Sequence, residues 1–145
     1  MINEMGQEVV EGYRCKPKDY DPNRPIMHYK TLIMICDGER CKRAGKIDKA
    51  LYLRELIKEL GLNKGKDRIK ISRSGCWGAC RFRQVAFITE NTQANGNIYN
   101  NAIWLKNTHN FTDKKWKEIF SILVENRVLK EELPSEDFIP MRVYE

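Results

Sequence analysis

Four cysteines constrain this chain more than any other feature. Cys36 and Cys41 form a C-x4-C pair and Cys76 and Cys80 a C-x3-C pair, with 34 residues between the two. Each pair follows a strand-like stretch, Thr31–Ile35 before the first and Ile69–Ile71 before the second. Both pairs are therefore expected where a strand gives way to a loop. Two such loops can share one metal centre only if the fold carries them to the same place.

The remaining pattern supplies such a fold. Thr31–Ile35 is a continuous apolar run, expected as a buried central strand with apolar residues on both faces. Lys46–Leu60 is expected as a helix: Ile47, Ala50, Leu51, Leu53, Ile57 and Leu60 recur at helical spacing and are assigned to the core, and Gly61 follows as a left-handed cap. Ile69-Lys70-Ile71 alternates and reads as an edge or half-buried strand. Val85–Ile88 and Ala102–Leu105 give a third and a fourth strand. Asn95-Gly96 is a turn signal between them, in an Asn-rich connection expected to be an extended or mobile hairpin loop. Thr112 is a good N-cap, and Trp116, Ile119, Phe120, Leu123 and Val124 make a helical stripe reaching about Asn126.

The order strand, helix, strand, strand, strand, helix implies a parallel first pair joined by a right-handed crossover, then an antiparallel hairpin. The expected architecture is an α/β sandwich with a four-stranded mixed sheet and two main helices. Residues 1–29 read as an irregular N-terminal arm containing Asp21-Pro22-Asn23-Arg24-Pro25, residues 30–128 as the domain, and residues 129–145 as a tail with Pro134 and Pro140.

Location and partners follow from composition. The 145 residues hold no apolar run near the ~20 needed to span a bilayer, and the polar start Met1-Ile2-Asn3-Glu4 lacks a signal core. The expected compartment is the cytoplasm, where five cysteines point to a metal centre rather than a disulfide frame. The net charge of +6 raises the question of nucleic acid, but the basic residues are spread among acids, which reads as a solvated mixed surface instead. Neither a nucleotide-binding glycine loop nor a Ser/His/Asp arrangement stands out, so the chain is not expected to be an enzyme. His28 and His109 are expected as ordinary loop residues, Trp104 and Trp116 as core, and Cys15 as a bystander thiol.

Thiolates suit iron and sulfide because both are soft partners and thiolate supplies charge to ferric iron. A 2Fe–2S centre takes two thiolates per iron, so one cysteine pair per iron is a plausible split. Gly38, Gly75 and Gly78 let the backbone turn and approach the sulfurs, and backbone N–H groups aimed there favour the more negative reduced state. Arg40, Lys42, Arg43, Arg73, Arg81 and Arg83 lie near the cysteines in sequence. They are expected to favour reduction and to meet a redox partner with an acidic docking surface. Zinc is the rival metal, since both pairs also fit four-cysteine zinc spacing.

With Ile35-Cys36, Cys41 and Ser74-Gly75-Cys76-Trp77-Gly78-Ala79-Cys80 in this element order, residues 30–128 resemble the thioredoxin-like 2Fe–2S ferredoxins. They are also similar to the corresponding domain of the 24-kDa subunit of NADH:quinone oxidoreductase. The resemblance implies a thioredoxin-like sandwich without the C-x-x-C motif and a 2Fe–2S cluster near the surface on Cys36, Cys41, Cys76 and Cys80. It implies one-electron transfer and, since family members are often homodimers, a second copy of the chain as an expected partner. The family usually has Gly-Pro before the third strand, where Arg83-Gln84 stand here. Two further readings remain open: a cluster-dependent accessory or sensor protein, and a zinc-stabilised binding module.

Overall fold

A computed structural model describes residues 28–141. Strands β1 (Thr31–Cys36), β2 (Ile69–Ser74), β3 (Ala86–Glu90) and β4 (Ile103–Leu105) form one sheet in the order β2-β1-β3-β4. β1 runs parallel to β2 and antiparallel to β3, and β3 runs antiparallel to β4. Helices α1 (Glu39–Gly45) and α2 (Lys49–Glu59) lie between β1 and β2, and α3 (Asp113–Val124) and the short α4 (Leu129–Glu132) follow β4. This is an α/β sandwich with a four-stranded mixed sheet and two main helices, α2 and α3.

Register explains the core. Ile33 pairs with Ile71 on one side and Ile88 on the other, and Ile88 pairs with Ile103. One row of isoleucines therefore crosses the sheet. With Ile35, Ile69, Ala86 and Leu105 it packs against Ala50, Leu53, Leu56 and Ile57 of α2 and Trp116, Ile119 and Phe120 of α3. The alternate residues Leu32, Met34, Phe87 and Trp104 point to the other face and are half-buried. β1 is thus fully buried on one face only, and Trp104 lies outside the main core, both contrary to expectation.

The expected 46–60 helix is α2, which starts at Lys49, and a short helix the sequence did not announce, α1, precedes it. Lys46, in the left-handed region at φ 60, closes α1, and Asp48 caps α2 by accepting from the Leu51 N–H at 3.2 Å. Ala50, Leu53, Leu56 and Ile57 complete the buried face. Ile47 precedes the cap, and Leu51 and Leu60 lie off that face, so all three are exposed rather than core. Gly61 at φ 72 turns the chain out of α2.

The Asn-rich hairpin connection is pinned rather than extended. The Asn91 and Asn97 side chains cap two 3-10 turns. Asn100, fully buried, donates to Arg127 O at 2.8 Å and accepts from Leu129 N–H at 2.9 Å, tying the loop to the chain after α3. Beyond residue 128 the chain packs deeply: Leu129 and Leu133 join the main core, and Ile139 N–H donates to Trp104 O at 2.9 Å along the open edge of β4.

Candidate metal centre

The parallel pairing of β1 and β2 brings the cysteine loops together. Cys36, the last residue of β1, stands opposite Ser74, the last of β2, and Asp37 N–H donates to Ser74 O at 3.1 Å. Both loops leave the same end of the sheet. The chain entering the antiparallel β3 arrives there too, and Cys36 N–H donates to Val85 O at 3.0 Å. At Gly38 a Cβ would lie 3.1 Å from Cys76 Cβ and 3.5 Å from Cys36 Sγ, so the first loop rests directly on the second. Sites at the carboxyl ends of parallel strands are a recurring feature of α/β sheets.

The four thiols are free and unequal. Cys36 and Cys41 are both 2% exposed, in a small apolar cluster with Val85 and Ile139, edged by Trp77, Ala79, Phe82 and Trp104. Cys41 lies inside the short helix α1, ahead of α2. Burial pushes its thiol up to about 11, with the neighbouring Cys36 adding to the rise and a Val85 backbone contact opposing it. Cys76 is exposed, with its sulfur 3.5 Å from that of Cys80. The Gly78 N–H, 3.2 Å from Cys76 Sγ, is the main cause holding that thiol below its ordinary value; Cys80 and the Arg40 charge act in the same direction. The Cys80 thiol is raised, first by its contact with Cys76. Cys36 acts electrostatically on Cys80, and Cys80 on Cys41, so the two pairs lie within mutual range.

Gly78 adopts φ 75, which aims its N–H at the sulfur and favours glycine. Gly75, expected to matter similarly, has neither a positive φ nor any atom within 4 Å of a Cβ.

The basic residues separate into distinct roles. All six are exposed. Arg43 is paired with Glu39, and Arg73 with Asp48 at 2.6 Å. Arg83 donates to Cys80 O at 2.8 Å. Arg40 acts on both Cys76 and Cys80, and Arg40, Arg43 and Arg83 line an open hollow with Ala44.

One positioning residue escaped the sequence reading. Gln84 is buried, and its Nε2 donates to Cys36 O at 3.4 Å. A Cβ on Gly45, at the end of α1, would meet Gln84 Oε1 at 2.8 Å, and that oxygen has no partner. Gln84 N–H donates to His109 Nδ1 at 3.2 Å, which gives His109 a role beside the site. The Arg83–Gln84 peptide is cis. Trp77 packs edge-on against Trp104 with ring centres 5.1 Å apart, half-buried over the site. Cys15 lies outside the described residues.

Among the described residues, no three His, Cys, Asp or Glu side chains gather into a site for a metal ion. The sulfurs are arranged as two pairs. Four soft thiols with a backbone N–H aimed at one of them, and glycine where the loops touch, fit the donor set of a 2Fe–2S cluster.

No family model matches the sequence, and no curated protein matches it. Among solved structures the chain is similar to the wild-type thioredoxin-like [2Fe–2S] ferredoxin from Aquifex aeolicus. That match has a TM-score of 0.47 and 14% identity, over 78% of this chain and 99% of the other.

Proposed function

We propose that Cys36, Cys41, Cys76 and Cys80 hold a 2Fe–2S cluster and that the protein is a one-electron carrier, not an enzyme in its own right. The observation that carries this reading is the convergence of the two cysteine loops at one end of the sheet, with Cys36 opposite Ser74 and Gly38 against Cys76. When bound, such a cluster takes up and gives back a single electron. The chain's own residues divide the remaining work. Cys36 and Cys41 anchor from the protein interior, and Cys76 and Cys80 face outward. The Gly78 N–H and the Arg40 charge favour added negative charge on the outer side. Trp77, Phe82 and Trp104 limit water around the inner pair.

Zinc fits less well. Small four-cysteine zinc modules fold around the metal itself, whereas here the two loops stand on a sheet with a packed core of its own. Arg40 and Arg83, flanking the exposed thiols, suit an acidic surface on a redox partner; Arg43 and Arg73 already have carboxylates. No helix among the described residues is long and apolar enough to cross a membrane. The proposed compartment is the cytoplasm, where thiols stay reduced.

The test is cluster content after anaerobic purification of single cysteine variants. Alanine at any of positions 36, 41, 76 or 80 removes or severely depletes bound iron and sulfide, while Cys15→Ala retains them. A Cys15→Ala protein without iron, or a Cys41→Ala protein with a full complement, contradicts the assignment.

A further inference from the structure

Away from the cysteines, a cleft of about 340 Å³ opens between α2 and the edge strand β2. Arg54, Lys58, Arg68 and Lys70 line it with Asn63, above a floor of three isoleucines, and among the described residues no acidic side chain contributes to its walls. Among the described residues no carboxylate forms an ion pair with Arg54, Lys58 or Lys70. Cations gathered in one concavity repel one another and focus a positive field into it, which an anion relieves.

Two of the guanidinium groups are held in place. Arg54 Nη2 donates to Ile71 O at 3.1 Å, and Arg68 Nη1 donates to His28 O at 3.0 Å. His28 is itself fixed through its ring Nε2 to Gly65 O at 2.9 Å. A pinned guanidinium loses less freedom on binding, and Arg54 keeps most of its donors after giving one to the strand.

An extended acidic peptide could in principle add to the β2 edge. That edge is already engaged where the cleft lies: Ile69 N–H donates to Leu62 O at 2.8 Å, and Ile71 O accepts from Arg54. The arrangement favours a compact anion, and the volume lies at the small end of ligand pockets. We propose that this cleft binds a diphosphate group, free or as part of a nucleotide. The proposal is independent of what the cysteines hold.

Calorimetric titration of the full chain at low salt with pyrophosphate, ADP and adenosine tests it. Pyrophosphate and ADP bind and adenosine does not, and affinity falls as sodium chloride is raised. The Arg54→Gln/Lys70→Gln variant binds both at least about tenfold more weakly, a loss near 1.4 kcal/mol. Lys58→Gln, a change at an exposed helix position, weakens binding with an unchanged melting curve and serves if the double variant melts early. Equal affinities identify free diphosphate as sufficient, and tighter ADP shows that the nucleotide body also contributes. Absence of binding overturns the proposal. So does binding that survives Arg54→Gln/Lys70→Gln but disappears in Arg40→Gln/Arg83→Gln, which would place the anion beside the cysteines.

Discussion

At the scale of single residues, the sequence marked the candidate ligands because few side chains can do what paired thiolates do. It could not rank them. Cys36 and Cys76 look alike on paper, yet one ends a buried strand and the other stands exposed beside a glycine N–H. Gln84 was illegible for the same reason: its amide matters only because the sheet brings it under Cys36 and against Gly45. The basic residues were read as one group, and tertiary structure separated them, since Glu39 and Asp48 engage two of the six. A consequence concerns thiol reactivity in protein stripped of metal by a chelator. Cys76 is exposed and held below the ordinary thiol value of 9.0, so it should react first with iodoacetamide at neutral pH. Cys41, buried and raised to about 11, should react last. Peptide mapping by mass spectrometry gives the order, and Arg40→Gln should slow Cys76 without altering Cys41. Labelling of Cys41 ahead of Cys76 contradicts the burial and hydrogen bonding described.

At the scale of elements, strands and long helices were legible and α1 was not. α1 has seven residues, no side-chain N-cap and a charged sequence, Glu-Arg-Cys-Lys-Arg-Ala-Gly, with no apolar stripe to announce it. It forms because Cys41 is buried on one side and Gly45 fits against Gln84. The hairpin connection was legible as polar and turn-rich. Its rigidity was not, because the asparagines bond to segments far along the chain. The contact between the two cysteine loops makes a sharp prediction. Gly38→Ala drives a methyl group to 3.1 Å from Cys76 Cβ. It should cost about 1–3 kcal/mol and lower iron content. Gly75→Ala meets nothing and should leave stability within about 0.5 kcal/mol and loading unchanged. Urea denaturation and iron analysis on both variants check this; equal effects would mean that the loops do not touch at Gly38.

At the scale of the whole molecule, the order of elements and the rarity of left-handed crossovers were enough to expect a parallel pair followed by a hairpin. What locks sheet to helix could not be seen in the sequence. Lys30 Nζ, buried, pairs with Glu90 Oε1 at 3.1 Å and donates to Leu123 O at 2.5 Å, while Thr31 Oγ1 donates to Glu90 Oε2 at 2.7 Å. Burial raises the Glu90 pKa above its ordinary 4.5, outweighing the opposing pull of Thr31 and Lys30. A raised folded-state value means the folded chain holds this proton more tightly. The associated stability is present below 4.5 and is lost as pH rises through the raised value. Lys30→Met removes the compensating cation and should cost about 3–5 kcal/mol at pH 7, and less near pH 4, where Glu90 can be neutral. Urea midpoints at the two pH values test this, and an equal loss at both would contradict it. The central claim, that two thiol pairs at one end of this sheet hold a 2Fe–2S cluster, is tested most directly by one preparation. Anaerobically purified protein should be coloured, contain iron and acid-labile sulfide in equal amounts, lose its visible absorbance on addition of dithionite and then show a rhombic EPR signal. A colourless protein carrying stoichiometric zinc would contradict it.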